Sequence, residues 1–279
     1  MNPPLHRTAL VYDFDGTLAP GNIQEHSLLP NYLRITKQAF WDLVGTEKQA
    51  HDSDQILIYL KLLLDVARSK NLPITREILA KHGKDTPFYD GVTEWFERIN
   101  GYAGARGLGL EHYVVSSGNE EMIRGSAIAH RFERIFACKY IYDKKGEAIW
   151  PGSVVNYTTK TQFLFRINKG VDTYWDDSRV NRWVPMEDRP IPFNRIIYIG
   201  DGDTDIPSMK TVRHQGGHSI AVFDPKEWAA GKAQERAYNL IAEDRAHFVV
   251  PADYVQGSQL DVTVKGILGR IARDGGWRE

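Results

Sequence analysis

Two strand-like apolar runs, far apart in the chain, each empty into a cluster of aspartates, and this repetition limits the folds open to the sequence. Residues 9–12 lead into Asp13-Phe14-Asp15-Gly16-Thr17-Leu18, and residues 195–199 lead into Gly200-Asp201-Gly202-Asp203-Thr204-Asp205. Side chains alternate across a strand, and Gly16 lets the backbone turn sharply enough to swing Asp15 beside Asp13. Two carboxyl groups in one small space need a shared proton or a cation between them.

In an open α/β sheet, ligands bind beyond the carboxyl ends of parallel strands, where strands distant in sequence lie side by side. Asp13, Asp15 and Asp201 are therefore expected to converge on one ion. Carboxylate oxygens with no neighbouring His or Cys favour Mg2+ over zinc, and magnesium keeps waters and takes a substrate phosphate. A calcium loop fits only the first half of the second cluster. Its sixth position would be Ile206 rather than Gly, and its twelfth Val212 rather than Glu. Ordinary turn chemistry explains either cluster alone far better than it explains two clusters that both end apolar strands.

The segment from Asp13 to Leu18 resembles the first signature of the haloacid dehalogenase (HAD) superfamily, and Gly200 to Asp205 resembles the fourth. His112-Tyr113-Val114-Val115-Ser116-Ser117-Gly118 supplies the second at Ser116. Lys160, which opens a helix-like stretch, is the candidate for the third, with Lys169 as its competitor. The resemblance implies that Asp13 attacks phosphorus to give an aspartyl-phosphate, and that Asp15 protonates the leaving oxygen and then activates water. It further implies that Ser116, Ser117, Gly118 and Lys160 hold the phosphate. The Asp13 carboxylate, the Asp15 carbonyl and Asp201 would bind Mg2+. Asp205 would serve as a ligand through water or as a support for Lys160, and Asp203 would be peripheral. An Asp two residues after the nucleophile points to phosphate esters rather than halides.

The expected function is a magnesium-dependent phosphomonoester hydrolase acting on a small phosphorylated metabolite. A phosphomutase or phosphotransferase shares the same signatures. A non-catalytic binding protein on this fold is disfavoured, because every acid of the motifs is present. In the phosphoserine phosphatase-like branch a glutamate soon after the first motif holds the substrate amine. Here Asn22 stands at that spacing and Glu25 is displaced from it, so both are candidate substrate residues.

The 279 residues suffice for two domains, with 42% hydrophobic and 25% charged residues, as expected of a soluble cytoplasmic protein. No run is long and apolar enough for a membrane span, and the start lacks the apolar core of a signal peptide. A net charge of −1 gives no general attraction for nucleic acid or acidic membranes. The single cysteine, Cys138, excludes an internal disulfide and reads as a small buried strand residue. Oligomeric state leaves no mark in the sequence.

Strand-helix alternation after residue 89 predicts a Rossmann-like parallel sheet with helices on both faces. Residues 1–18 and 89–279 form this core, with helices expected at 120–130, 160–168, 207–213, 225–242 and 258–272. Strands are expected at 134–142, 195–199, 219–223 and 247–250. Residues 19–88 show helical periodicity instead and read as a small all-helical cap domain that closes over the site. One helix spans 33–44, another begins at Asp54 and is too apolar to be exposed, and a third runs from Thr75 until Gly83 stops it. Residues 171–192 interrupt the alternation, either as a surface excursion or by bringing Arg179 or Arg182 to an anionic substrate.

Overall fold

The computed structural model describes residues 6–228 and 231–276, leaving the side chains of Asp203 and Lys232 outside that description. Among the described residues seven strands form one sheet. They are β1 (His6–Tyr12), β2 (Leu108–Asn119), β3 (Arg134–Tyr142), β4 (Ala148–Ser153), β5 (Ile196–Gly200), β6 (His218–Phe223) and β7 (Phe248–Pro251), in the order β4-β3-β2-β1-β5-β6-β7. Every pairing is parallel except β3 with β4. The central strand β1 buries Ala9, Leu10, Val11 and Tyr12 completely, as a parallel strand covered on both faces must.

Helices α1 (Ile23–His26), α2 (Lys37–Ala50), α3 (Gln55–Ser69) and α4 (Arg76–Gly83) lie between β1 and α5 (Val92–Gly104). There follow α6 (Glu120–Gly125), α7 (Thr159–Lys169), α8 (Asp177–Asn181), α9 (Ile206–His214), α10 (Pro225–Trp228), α11 (Lys232–Ala242) and α12 (Gln259–Asp274). Crossovers step from β1 through α5 to β2 in one direction and from β5 through α9 to β6 in the other; with the right-handed connection that parallel strands favour, this puts helices on both faces. In keeping with this, α5 packs with α12, and α7 packs with α9. None of the described helices is long and apolar enough to cross a membrane.

The sheet gains an antiparallel edge strand that the sequence reading did not anticipate. The turn through Gly146, at φ +82°, folds β4 back on β3. Two other expectations are corrected. The helix expected from residue 33 begins at Lys37, because Arg34 is left-handed at φ 50° and the Thr36 hydroxyl accepts from the Ala39 N–H at 3.2 Å. The helix expected over 120–130 ends at Gly125, and a single 3-10 turn, Ala129–Arg131, replaces its second half. The apolar helix starting after Asp54 is covered as expected, with Ile56, Ile58, Tyr59, Leu60, Leu62, Leu63 and Leu64 all buried.

The helix capped by Thr75 ends at Gly83 as expected, and that glycine also closes α4 against α6. A Cβ on Gly83 would meet the Met122 carbonyl oxygen at 1.9 Å, and one on Gly125 would meet the Ala80 carbonyl oxygen at 1.9 Å. Two reciprocal glycines thus let the backbones touch. Gly83→Ala is expected to cost ~1–3 kcal/mol in urea denaturation, although alanine is the better helix former, because fixed backbone must move apart. Stability equal to wild type would mean that the two helices separate freely.

Further links run from the insertion to the core. Tyr140 Oη donates to the Leu60 carbonyl at 2.8 Å, Asn156 Nδ2 to Asp54 Oδ2 at 2.8 Å, and the Ala148 N–H to the Ile74 carbonyl at 2.8 Å.

Beneath the first acidic cluster a buried relay joins β1 to β2. The indole N–H of Trp95 can only donate, so the Tyr12 oxygen accepts it at 2.9 Å and passes its own proton to His112 Nδ1 at 3.0 Å. His112 Nε2–H then donates to Asn100 Oδ1 at 2.9 Å. Burial, with the charge of Arg131 adding to it, lowers the His112 pKa to about 3. Below pH 6.5 the unfolded chain takes up a proton that the folded chain refuses. This histidine therefore subtracts stability as pH falls, by about 1.4 kcal/mol per unit until the folded pKa is reached. Between pH 6.5 and 5 the stability advantage of wild type over His112→Gln should shrink by about 2 kcal/mol; a constant difference in urea titrations would contradict the neutral relay.

Candidate active site

Neighbouring registers in β1 and β5, Tyr12 opposite Ile199, bring the two acidic strand ends together, and the Asp13 N–H donates to the Ile199 carbonyl at 2.9 Å. Carboxylate oxygens of Asp13, Asp201 and Asp205 fall within 4.8 Å of one another. Lys160 is completely buried at the head of α7, with Nζ 2.7 Å from Asp205 Oδ1 and 3.2 Å from Asp13 Oδ2. Tyr198 Oη also donates to Asp205 Oδ1 at 2.6 Å, and the Gly202 N–H to Asp205 Oδ2 at 3.2 Å. Asp205 is thus fixed from both sides.

Glycines make this crowding feasible. Gly16 holds φ +74° with its Cα so near Asp201 that a Cβ would lie 2.2 Å from Oδ2, and a Cβ on Gly200 would lie 2.5 Å from the Asp205 carboxyl carbon. The Asp15 carboxylate stands apart from the three converging acids. Its Oδ1 accepts from the Ile23 N–H at 2.9 Å, and its Oδ2 lies over Gly118, where a Cβ would approach to 2.9 Å. Ser116, Ser117 and Gly118, at the end of β2 where its register with β3 shifts, therefore sit directly across from Asp15, braced by the Gly118 N–H to Ser116 Oγ at 3.1 Å.

The electrostatics follow from burial. It pushes the Asp13 carboxyl up to about 6, with Lys160 pulling the other way and Asp205 adding to the rise. Burial and then the charge of Asp13 raise Asp15 well above its ordinary value; burial and then Asp205 and Asp13 do the same to Asp201. Lys160 is held above its ordinary value by Asp13 and Asp205 despite its burial. One ammonium does not balance this many acids. An all-oxygen donor set with unmet negative charge, cradled by glycines that leave no room for a side chain, fits a hard divalent cation.

A cleft of about 520 Å³ opens above these groups, with its other wall built by the insertion. Asn22 and Glu25 both line it. Glu25 is already engaged: Oε1 accepts from Asn22 Nδ2 at 2.7 Å and from Trp41 Nε1 at 2.6 Å, and Oε2 pairs with Lys37 Nζ at 2.6 Å. Burial works against its charge, yet the hydrogen bonds from Lys37, Asn22 and Trp41 hold its carboxyl below the ordinary value.

Lys169 lies away from the site, its Nζ donating to the carbonyls of Val180 at 2.6 Å and Arg182 at 2.8 Å. Neither Arg179 nor Arg182 lines the cleft, and Arg179 donates instead to the Gly170 carbonyl at 3.1 Å. Residues 171–192 are a surface excursion tied to α7. Cys138 is buried in β3, accepts from the Val155 N–H at 3.1 Å, and is pushed up to about 12 by burial, which suits an inert packing residue. Sequence reasoning missed Tyr198, although a buried strand tyrosine needs a partner for its hydroxyl. It also missed Tyr59, whose Oη donates to the Ser117 carbonyl at 2.6 Å, and the grip of Lys37 and Trp41 on Glu25.

A family model for haloacid dehalogenase-like hydrolases matches residues 10–210, which carry every one of these groups. The chain belongs to this family. This hydrolase is 28% identical to an uncharacterized protein of Borreliella burgdorferi over 287 aligned positions, covering 93% of this chain and 96% of the other. Its fold matches a HAD family hydrolase from Salmonella enterica serovar Typhi at TM-score 0.57 and 14% identity, covering 95% of this chain and 72% of that one. It also matches a substrate-bound phosphoserine phosphatase at TM-score 0.53 and 15% identity, covering 93% and 98%.

Proposed function

We propose that this hydrolase is a magnesium-dependent phosphomonoesterase acting on a small phosphorylated metabolite through an aspartyl-phosphate. The observation that carries the reading is the meeting of Asp13, Asp201, Asp205 and Lys160 at the ends of β1 and β5, beside Ser116 to Gly118 at the end of β2. Asp13 attacks phosphorus, and the bond to the ester oxygen breaks as that oxygen takes a proton from Asp15. Because Asp15 Oδ1 accepts from the Ile23 N–H, the proton rides on Oδ2, the oxygen facing Gly118. Burial, with the charge of Asp13 adding to it, raises its pKa and so favours the protonated form that the leaving oxygen needs. Asp15 then takes a proton from water, which attacks the aspartyl-phosphate, releases phosphate and restores Asp13.

Ser116, Ser117, Gly118 and Lys160 surround the transferred group, where donors and a cation answer the charge on its equatorial oxygens. Asp205, held by Tyr198 and Gly202, positions Lys160 rather than binding metal directly. The Asp13 carboxylate, the Asp15 carbonyl and Asp201 would hold Mg2+, which when bound neutralises phosphate charge. Residues 19–88 act as the cap that covers the ester and excludes water. Its links to β3, to β4 and to Asn156 after β4 support a closed position.

The full chain with Mg2+ is expected to release phosphate from p-nitrophenyl phosphate, to stop on chelation with EDTA, and to resume when Mg2+ is returned in excess. No release from that ester with Mg2+ present would overturn the reading.

A further inference from the structure

We infer that Glu25 is a positioning residue for the general acid: from the insertion it fixes the peptide N–H that orients Asp15, so that its loss impairs protonation of the leaving oxygen rather than capture of a substrate group. This rests on the phosphomonoesterase reading above. Among the described residues the one hydrogen bond to the Asp15 carboxylate comes from the Ile23 N–H, at 2.9 Å on Oδ1. Ile23 opens α1, a single turn of four residues that is too short to hold its own direction. Glu25 holds it instead. The Asn22 side chain donates to Glu25 Oε1 at 2.7 Å and the Asn22 N–H reaches Oε2 at 3.4 Å, so the residue that precedes Ile23 is tied to one carboxylate through both side chain and backbone. The same carboxylate takes Trp41 Nε1 at 2.6 Å and Lys37 Nζ at 2.6 Å, from successive turns of α2. A helix of fourteen residues thereby braces a helix of four.

The loop between acid and brace is closed on itself. The Gly16 N–H, next to Asp15, donates to the Gly21 carbonyl at 3.2 Å, and Gly21, at φ +66°, passes Glu25 so closely that a Cβ would stand 3.1 Å from Oε2. Glu25 itself has a side chain 6% exposed, with both oxygens engaged and its charge matched by Lys37, so a substrate group could reach it only by displacing a partner. A general acid, in contrast, depends on such bracing. Anchoring Oδ1 fixes where Oδ2, which faces Gly118, delivers its proton, and a misplacement of ~1 Å costs on the order of a hundredfold in rate.

The test uses the full chain with Mg2+ and two esters of similar size, neither with an amine: benzyl phosphate and p-nitrophenyl phosphate. Benzyl alkoxide leaves only as it is protonated, whereas p-nitrophenolate is stable as an anion, so the ratio of kcat/KM for the first ester to that for the second reads the acid. Taken within one variant, that ratio does not change with the folded fraction. Asp15→Asn sets the full effect, a fall of about a hundredfold or more. Glu25→Ala should lower the ratio about tenfold. Glu25→Gln should stay within about threefold of wild type, because its carbonyl oxygen still accepts from Asn22 and Trp41 while Lys37, with a side chain 62% exposed, turns to solvent. Should Glu25→Ala fail to fold, Asn22→Ala, which removes one bond of the brace, should move the ratio in the same direction. A ratio unmoved in Glu25→Ala, or in Asn22→Ala where that variant replaces it, overturns the positioning role while leaving the phosphomonoesterase intact; so does a fall in Glu25→Gln as large as in Glu25→Ala. An unmoved ratio in Asp15→Asn removes the acid and this inference with it. Release of phosphate from neither ester by wild type removes the phosphomonoesterase as well.

Discussion

Asp13→Asn should abolish phosphate release, by about four orders of magnitude or more, while the protein stays folded. The amide cannot form the acyl-phosphate, and no other carboxylate can substitute: Asp205 is gripped by Lys160, Tyr198 and Gly202, and Asp15 is turned toward Ile23. The fold should persist because asparagine keeps the shape and can still accept from the Phe14 N–H, which Asp13 Oδ1 now does at 2.8 Å. One crowded negative charge is removed, and Lys160 retains Asp205 as its partner. Phosphate release measured beside a urea titration separates the two effects. Turnover within tenfold of wild type would remove Asp13 from the reaction.

The contrast between what the sequence disclosed and what it hid follows from how local each signal is. Asp13, Asp15 and Asp201 were legible because each lies within a few residues of the strand that carries it. The choice between Lys160 and Lys169 was also open to reading. Phe163, Leu164 and Ile167 stand three, four and seven residues after Lys160, so Lys160 shares their buried face, whereas Lys169 lies half a turn round the helix from it. The strand β4 gave no such pattern. Ile149 and Trp150 are exposed at 45% and 58%, and only Ala148 and Pro151 turn inward, which is the weak signature of a short edge strand. Glu25 illustrates a third case. Its type and position pointed to substrate, but its partners Lys37 and Trp41, twelve and sixteen residues on, reach it only because the first turns of α2 are brought back to Glu25, a tertiary fact absent from local pattern.

Lys160→Met should destabilise the metal-free protein by about 3–5 kcal/mol, the cost of leaving buried charge without its partner. Lys160 is the cation that both Asp13 and Asp205 face from within hydrogen-bonding or ion-pairing distance; Asp205 is completely buried and Asp13 only 4% exposed, so water compensates little. Two further results follow from that cause. Added Mg2+ should recover part of the loss, because an ion bound only by the folded state supplies the missing positive charge. The double variant Lys160→Met/Asp205→Asn should be more stable than Lys160→Met alone, since removing a buried pair together costs far less than removing one member. Asparagine at 205 can still accept from Tyr198, while its amide nitrogen then faces the Gly202 N–H, so the recovery should be partial. Activity should not return in the double variant, because the phosphate still lacks its ammonium. Urea titrations that place Lys160→Met within 1 kcal/mol of wild type (roughly the worth of an exposed pair) would mean that the acids of this site are held neutral, and that Lys160 is not what lets them share one pocket.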